Sequence, residues 1–177
     1  PVVPVEIIQQ AHLASVAFVP NENWAFQATL PYLHQSTFHI RRNGAPFILD
    51  SEGIGDVTLQ AIRSWRLGNE TLVYAGFGVG IPTGTVNAKG DTPRGPNSQL
   101  PYAMQIGSGT WDLKPTLGAT KKIGPKTSAG LNLSSVVRLG SNERSYTLGN
   151  IYDAELWGAY DVNEWLTLES RLKAAYW

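Results

Sequence analysis

Tyr74-Ala75-Gly76-Phe77-Gly78-Val79-Gly80-Ile81-Pro82 shows the sequence pattern from which the fold can be inferred. Its apolar side chains alternate with glycine, and this alternation predicts a β-strand because successive side chains of a strand point to opposite faces. Glycine weakens a strand, since it costs backbone entropy and packs no side chain. One face of this strand is therefore apolar and the other nearly bare, and the rest of the chain has to supply the reason.

The same alternation runs along most of the chain and predicts an all-β fold of eight antiparallel strands. Most of these strands span about ten to fourteen residues, whereas strands of soluble domains usually have five or six. They lie at about residues 9–19, 23–34, 54–67, 70–82, 109–121, 126–139, 149–161 and 164–177.

Short and long connections alternate strictly between these strands. The long ones are at about residues 35–53, 83–108 and 140–148. An up-and-down barrel of a bacterial outer membrane has this pattern, with short periplasmic turns and long extracellular loops. A Greek-key sandwich is not expected to keep it over every connection. We expect the first two long loops to narrow the lumen, and the proline-rich part of the second, 87–102, to fold inward.

Aromatic residues lie near strand ends on the apolar face. Tyr152 and Tyr160 are separated by roughly 20 Å of barrel height at the usual strand rise and tilt. The apolar band of such barrels is about 25 Å tall and is edged by aromatic girdles. A half-buried soluble sheet is the other interpretation of this placement. The predicted lipid-facing girdle comprises Trp24, Trp65, Trp111, Tyr152, Tyr160 and Tyr176.

The opposite faces of the strands predict the lumen. Glycine there leaves room for solute, for a folded-in loop or for a bulky side chain, or it relieves crowding where the sheet bends. The charged residues either line a water-filled path or pair across neighbouring strands. The predicted lumen-facing residues are Tyr74, Gly76, Gly78, Gly80, Asp112, Lys114, Asp153, Glu155, Glu169, Arg171 and Lys173.

Two residues interrupt the pattern. Arg63 falls in register with Leu59 and Ala61 on the apolar face. It either extends its charge to the membrane interface, or a bulge reverses the register at this point. Pro115 lies inside a predicted strand, where a bulge or a kink is expected.

Composition argues against several function classes. The net charge is zero, so no nucleic-acid partner is indicated, and cysteine is absent, so no thiolate metal site is possible. His12, His34 and His39 lack metal-ligand spacing. No Ser-His pair or nucleophile elbow can be assembled, and no apolar run is long enough for a transmembrane helix. We expect a protein that is not an enzyme, with no catalytic residues, no metal and no cofactor.

Strand topology predicts the extent of the domain. If the short turns are periplasmic, the first strand runs inward from outside and the last ends outside, whereas bacterial barrels normally start and finish in the periplasm. We therefore expect residues 1–177 to form one β-barrel domain that lacks strands at both ends. The complete barrel would have ten to twelve strands. Trp177 could instead be the final aromatic residue that is common in outer-membrane barrels, which argues for a closed barrel of eight strands.

Three glycine-rich motifs resemble the signatures of a known family. They are residues 53–59 (Gly-Ile-Gly-Asp-Val-Thr-Leu), 78–84 (Gly-Val-Gly-Ile-Pro-Thr-Gly) and 107–112 (Gly-Ser-Gly-Thr-Trp-Asp), and residues 23–32, ending in Leu-Pro-Tyr, are similar to its early hairpin. The family comprises outer-membrane transporters and is named after the meta pathway of phenol degradation. The resemblance implies an outer-membrane β-barrel that admits small organic compounds, and it brings no catalytic residues.

The sequence leaves three functions open. The first is an outer-membrane channel for passive diffusion of small solutes, for which the family name suggests aromatic or hydrophobic compounds. The second is a closed structural barrel, or a sheath around a partner protein. The third is a soluble antiparallel sandwich that binds a ligand. If the chain forms an outer-membrane barrel, as in the first two hypotheses, the expected partners are outer-membrane lipid and a small solute. The oligomeric state stays open.

Overall fold

The computed structural model describes residues 3–177 and shows an all-β protein whose antiparallel sheet is curled into a half-barrel. This confirms the predicted fold class. Among the residues described, no helix is long and apolar enough to cross a membrane. The elements are β1 (Val3–Asn21), β2 (Trp24–Ile40), β3 (Pro46–Ile54), β4 (Val57–Leu67), β5 (Thr71–Ile81), β6 (Lys89–Thr92), β7 (Gly95–Gln99), a 3-10 turn (Tyr102–Met104), β8 (Trp111–Lys122), β9 (Thr127–Leu139), β10 (Ile151–Asn163) and β11 (Leu166–Tyr176).

The main sheet is a meander. Its order is β1-β2-β4-β5-β8-β9-β10-β11, with β3 paired to β2 as well, and β6 and β7 form a separate hairpin. All neighbouring strands are antiparallel. The eight strands of the meander match the eight predicted ones to within a few residues, except that β1 and β2 extend further towards the long-loop end.

The predicted loop 35–53 is wrong, because this segment is mostly strand. The first part of β2 pairs with β4, and its second part, Tyr32–Ile40, pairs with β3. β3 and β4 are therefore two pieces of one strand that is interrupted between Ile54 and Val57. The turn between β2 and β3 includes Gly44, whose φ of 82° favours glycine. Alternation of Phe38 and Ile40 with polar residues continues the strand pattern beyond the predicted boundary.

Each strand presents two different faces. Residues directly opposite one another share a face, so the ladder Gln60–Gly78–Lys114 lies on one side and Ala61–Phe77–Pro115 on the other. We call the first side the inner face, since the loop of residues 83–108 packs on it, and the second the outer face. Large apolar side chains dominate the exposed outer face, and the small buried core of Leu49, Leu100 and Met104 lies between that loop and β3.

Neither residue that interrupts the pattern produces a bulge. The β4–β5 register is continuous, so Arg63 stays on the outer face opposite Ala75. Pro115 pairs with Phe77 of β5, while the ladder between β8 and β9 omits Lys114 and Pro115. Proline lacks an N–H to donate, so one side of the strand loses its bond while the strand continues.

Candidate functional site

The candidate site is the inner face of the half-barrel with the loop that packs on it. The strand registers place every residue predicted to face the lumen on this one face. Thr58, Gly80, Asp112 and Arg138 form one row across four strands. The other residues that were predicted to face the lumen lie on the same face, either nearer the short turns or on β10 and β11.

Glycine on the inner face makes room for aromatic rings of the adjacent strand. The Tyr74 ring lies over Gly118, where an added Cβ would be 2.2 Å from it, and its hydroxyl donates to Asn132 Oδ1 at 3.2 Å. Trp157 lies in the same way over Gly130, where a Cβ would be 2.5 Å from the ring. The rings come from the adjacent strand, so the space at these two glycines is filled by local packing and not by a side chain from across the barrel.

Two glycines of the opening stretch accommodate a lysine. Lys114 on β8 reaches across β5 to β4, where its Nζ donates to Thr58 Oγ1 at 2.6 Å. A Cβ on Gly78 would lie 3.2 Å from the Lys114 Cβ, and one on Gly80 would lie 3.2 Å from its Cε. The space that these two glycines leave on the inner face of β5 is therefore occupied by the Lys114 side chain. Among the described residues, no carboxylate lies within 4.0 Å of the Lys114 ammonium.

Asp112 and Arg138 form a buried ion pair near the long-loop end. The Arg138 guanidinium donates to Asp112 Oδ2, and the Arg138 side chain is 13% exposed whereas that of Asp112 is 1% exposed. Thr110 Oγ1 donates to the other carboxylate oxygen at 2.9 Å. Asp112 was predicted to face the lumen, whereas Arg138 was not in that set, although alternation places it on the polar face of β9. A buried carboxylate needs such a partner, because its desolvation is costly.

The charges on β10 and β11 are paired across the two strands. Arg171 Nη1 lies 2.8 Å from Glu155 Oε1, and Lys173 Nζ lies 3.2 Å from Asp153 Oδ1. Arg171 also contacts Glu169 of its own strand. These cross-strand pairs are the ones that the sequence indicated as an alternative to a selectivity role. Because both arginine and lysine are more than half exposed, the pairs contribute little stability.

A polar clasp, defined here as Asp56, Gly84, Gly107 and Ser108, holds both ends of loop 83–108. Asp56 Oδ1 accepts the Gly84 N–H at 2.9 Å, and Asp56 Oδ2 accepts both the N–H and the hydroxyl of Ser108 at 2.7 Å. Gly84 and Gly107 touch backbone to backbone, since a Cβ on Gly107 would lie 2.3 Å from the Gly84 oxygen. Each of the three glycine-rich motifs contributes a member, so the motifs meet at one point in space.

Loop 83–108 packs on the inner face of β2 and β3. Met104 is buried there, and its carbonyl accepts the Ser51 hydroxyl at 2.7 Å. Gln105 is buried too and stabilises the loop internally, because its side chain bonds the backbone of Ala88 and Leu100. The loop therefore occupies space on the inner side at the long-loop end, the position that a constriction requires.

The outer face carries every residue of the predicted girdle, all of them at least 36% exposed. They form two groups. Trp24, Trp65 and Tyr160 lie near the short turns, whereas Trp111, Tyr152 and Tyr176 lie near the long loops. Arg63 belongs to the first group, with its guanidinium 5.3 Å from the Trp24 ring and 5.4 Å from the Trp65 ring. Cation–π contact offsets part of the cost of placing a cation on this face.

Sequence reasoning missed the structural role of Asp56 and the inner position of Trp157. Asp56 was one of several charged residues, and nothing in its local pattern showed that two distant glycine motifs would donate to it. Trp157 shares the register of Asp153 and Glu155, so strand alternation could have identified it. In the part of the chain that the structure describes, no three His, Asp or Glu side chains are grouped to hold a metal ion.

Comparison with known proteins gives one family. A family model described as "Putative MetA-pathway of phenol degradation" matches residues 11–170. The matched range includes all three glycine-rich motifs, the clasp and most of both aromatic groups. No curated protein matches the chain.

Proposed function

Since this chain belongs to the family described as "Putative MetA-pathway of phenol degradation", we propose that it forms an outer-membrane β-barrel channel for passive diffusion of small solutes. The observation that carries the proposal is the contrast between the two faces of one curled sheet. The outer face is apolar and edged by aromatic residues at both ends, while the inner face carries charged, polar and glycine residues.

The outer face supports a membrane location. Exposed side chains such as Phe77, Leu117 and Leu156 are each more than half accessible, and a contiguous surface of this kind is unusual in soluble monomers. Lipid provides the apolar surroundings that these side chains lack in the isolated chain. The two aromatic groups then fall at the two membrane interfaces.

The inner face supports an aqueous path. Lys114 and the paired charges of β10 and β11 are groups that water or a polar solute can contact, and loop 83–108 supplies a constriction at the extracellular mouth. Neither a coupling motif nor a catalytic constellation was found in the sequence, so the proposed movement is diffusive and not enzymatic. The family description adds aromatic compounds as candidate solutes.

Barrel closure is part of the proposal. In the half-barrel, β1 and β11 each pair with a single neighbour. We propose that further strands pair with these two edges and give a barrel of ten to twelve strands. Side chains fill the interior of an eight-stranded barrel, whereas a barrel of sixteen strands leaves a wide channel. A barrel of ten to twelve strands lies between these two cases.

A structural barrel is the second candidate, and the ion pairs on β10 and β11 favour it. Paired charges and the Tyr74 and Trp157 rings fill part of the inner face without needing a solute. A soluble sandwich does not agree with the structure, because a sandwich needs two sheets packed face to face. Here one curled sheet leaves its apolar side chains exposed on the outer face.

Thiol labelling tests the proposed membrane placement, since the chain has no cysteine of its own. Ala119 and Thr120 are neighbours on β8, on the outer and inner faces respectively. In the full-length protein reconstituted into liposomes, we expect a small membrane-impermeant thiol reagent to label Thr120→Cys at least about tenfold faster than Ala119→Cys, because the thiolate must meet water to react.

The two cysteine variants serve as controls for each other, because they differ by one position at the same depth. Both should label fully after denaturation. Equal, rapid labelling of both in liposomes would contradict a lipid-facing outer face. Equal protection of both would contradict an aqueous inner face and favour the structural barrel.

A further inference from the structure

A small cavity lies between the long loops at the extracellular end of the proposed channel. Its volume is about 230 Å³. Loop 83–108 supplies one wall and loop 140–149 the other. The residues that matter for its chemistry are Val86, Leu100, Tyr102, Gln105, Arg144 and Tyr146. None of them belongs to the strands of the inner face or to the clasp, so the cavity is a separate site.

Two aromatic rings and two buried aliphatic side chains make part of the cavity apolar. The centroids of the Tyr102 and Tyr146 rings are 6.3 Å apart, with the ring planes tilted by 58°. Val86 and Leu100 are buried beside them. Tilted rings at this separation present an edge and a face, the two surfaces that an aromatic guest prefers to contact.

The cavity is large enough for a single aromatic ring. A cavity of about 150 Å³ lined by apolar side chains is known to hold benzene, and this one has about 230 Å³. Tyr102 is 68% exposed, so one side of the cavity is open to solvent. The cavity therefore accommodates a monocyclic compound with a small substituent.

A guanidinium provides the polar end of the cavity. Arg144 donates through Nη1 to Asn87 Oδ1 at 3.2 Å, and no carboxylate lies within 4.0 Å of it among residues 3–177. The neighbouring Glu143 carboxylate accepts instead from the Asn87 amide. Arg144 thus keeps most of its five donors, and their fork geometry matches a carboxylate.

Tyr146 contributes its ring to the cavity wall, and not its hydroxyl. The hydroxyl is buried and has no hydrogen-bond partner among the described residues, so a guest in the cavity does not contact it in this conformation. The combination of ring-sized space and a guanidinium with no carboxylate beside it fits an anion that carries an aromatic ring.

We propose that this cavity binds a single-ring aromatic carboxylate. The ring packs against Tyr102 and Tyr146, and the carboxylate pairs with Arg144. The inference deepens the proposed function by giving the class of solute recognised at the extracellular mouth, and it rests on that function only for the role of the site in uptake. Binding itself is a property of the loops and can be measured separately.

The test is equilibrium binding of benzoate to the full-length protein in detergent, measured by calorimetry. We expect Arg144→Gln to weaken benzoate binding at least about tenfold, because charge-assisted bidentate bonds are the strong ones. Tyr146→Leu should cause a comparable loss, whereas Tyr146→Phe, which keeps the ring, should bind benzoate within about twofold of the wild type. Benzyl alcohol, which has the ring without the charge, should bind weakly and with equal affinity to wild type and Arg144→Gln.

Arg94→Gln is the matched control, since Arg94 lies at the tip of the β6–β7 hairpin of the same loop and does not line the cavity. It should bind benzoate like the wild type. Absence of benzoate binding by the wild type, or an equal affinity in Arg144→Gln and Arg94→Gln, would overturn the proposal. Far-ultraviolet circular dichroism and a thermal scan verify that each variant is folded.

Solute uptake by liposomes separates this inference from the proposed function. Uptake of a neutral sugar without any benzoate binding would support the channel and contradict the aromatic-acid site. Benzoate binding that depends on Arg144, in a protein whose liposomes take up no solute, would support the site and contradict the channel.

Discussion

Asp56→Ala is expected to lower the free energy of unfolding by about 3–5 kcal/mol, because it removes the charged acceptor of three hydrogen bonds. Hydrogen bonds to charged groups are worth about 1.5–3 kcal/mol each, and water offsets part of their sum because Asp56 is only half-buried, so that the N–H groups of Gly84 and Ser108 become partly hydrated. The loss is measured by urea unfolding in lipid vesicles, followed by tryptophan fluorescence.

The same variant should release loop 83–108 from the inner face. Trypsin can cut after Lys89 and Arg94 of this loop, and we expect cleavage there to accelerate at least about tenfold, since local opening exposes the backbone to protease. Asp91→Asn is the matched control, because Asp91 accepts one backbone N–H at the exposed hairpin tip. Equal proteolysis of the two variants would show that Asp56 does not hold the loop.

Arg138→Gln is expected to lower the free energy of unfolding by about 3–5 kcal/mol, which is the usual penalty for leaving a buried charge without its partner. Asp112 is 1% exposed, and its remaining bond to the Thr110 hydroxyl cannot balance its charge. The measurement is again the urea midpoint in vesicles, and circular dichroism at the starting condition establishes that the variant has folded.

Arg171→Gln provides the comparison for Arg138→Gln, because its ion pair with Glu155 is exposed to water. Its urea midpoint should barely change, since exposed pairs contribute little. The double variant Asp112→Asn with Arg138→Gln should recover most of the stability lost in the single variant, because neither charge is then buried alone. A double variant as unstable as Arg138→Gln alone would contradict the uncompensated-charge explanation.

Strand positions and their faces could be predicted from the sequence because they follow from local alternation. Val79 and Gly80 lie on opposite faces for the same reason that Leu156 and Glu155 do, and no distant contact alters this. The strand boundaries of β1 and β2 at the long-loop end were the exception. Residues 35–40 keep the alternation only at Phe38 and Ile40, and they form strand because Pro46–Ile54 pairs with them.

Loop packing and the clasp could not be predicted, because they depend on contacts between distant parts of the chain. Asp56 and Ser108 are separated by 52 positions, and Ser51 and Met104 are separated by 53. The three glycine-rich motifs are local patterns of sequence. They did not show that Gly84 and Gly107 would touch each other at the loop base.

The convergence of three motifs on Asp56 gives the family pattern a physical reason. The first motif supplies the carboxylate, the second supplies the Gly84 N–H, and the third supplies Ser108. A glycine on each side lets the two ends of the loop approach. The motifs thus specify the position of the loop on the inner face, which in the proposed channel determines how much of the mouth stays open.

Solute uptake by liposomes that contain the full-length protein tests the proposed channel most directly. A small sugar and a small neutral aromatic compound are compared, in the wild type and in Asp56→Ala. If the protein is a channel, we expect uptake of both solutes by the wild type, and faster sugar uptake in Asp56→Ala because loop 83–108 is released. Correct insertion without uptake of either solute, in the wild type and in the variant, would contradict the channel and leave the structural barrel.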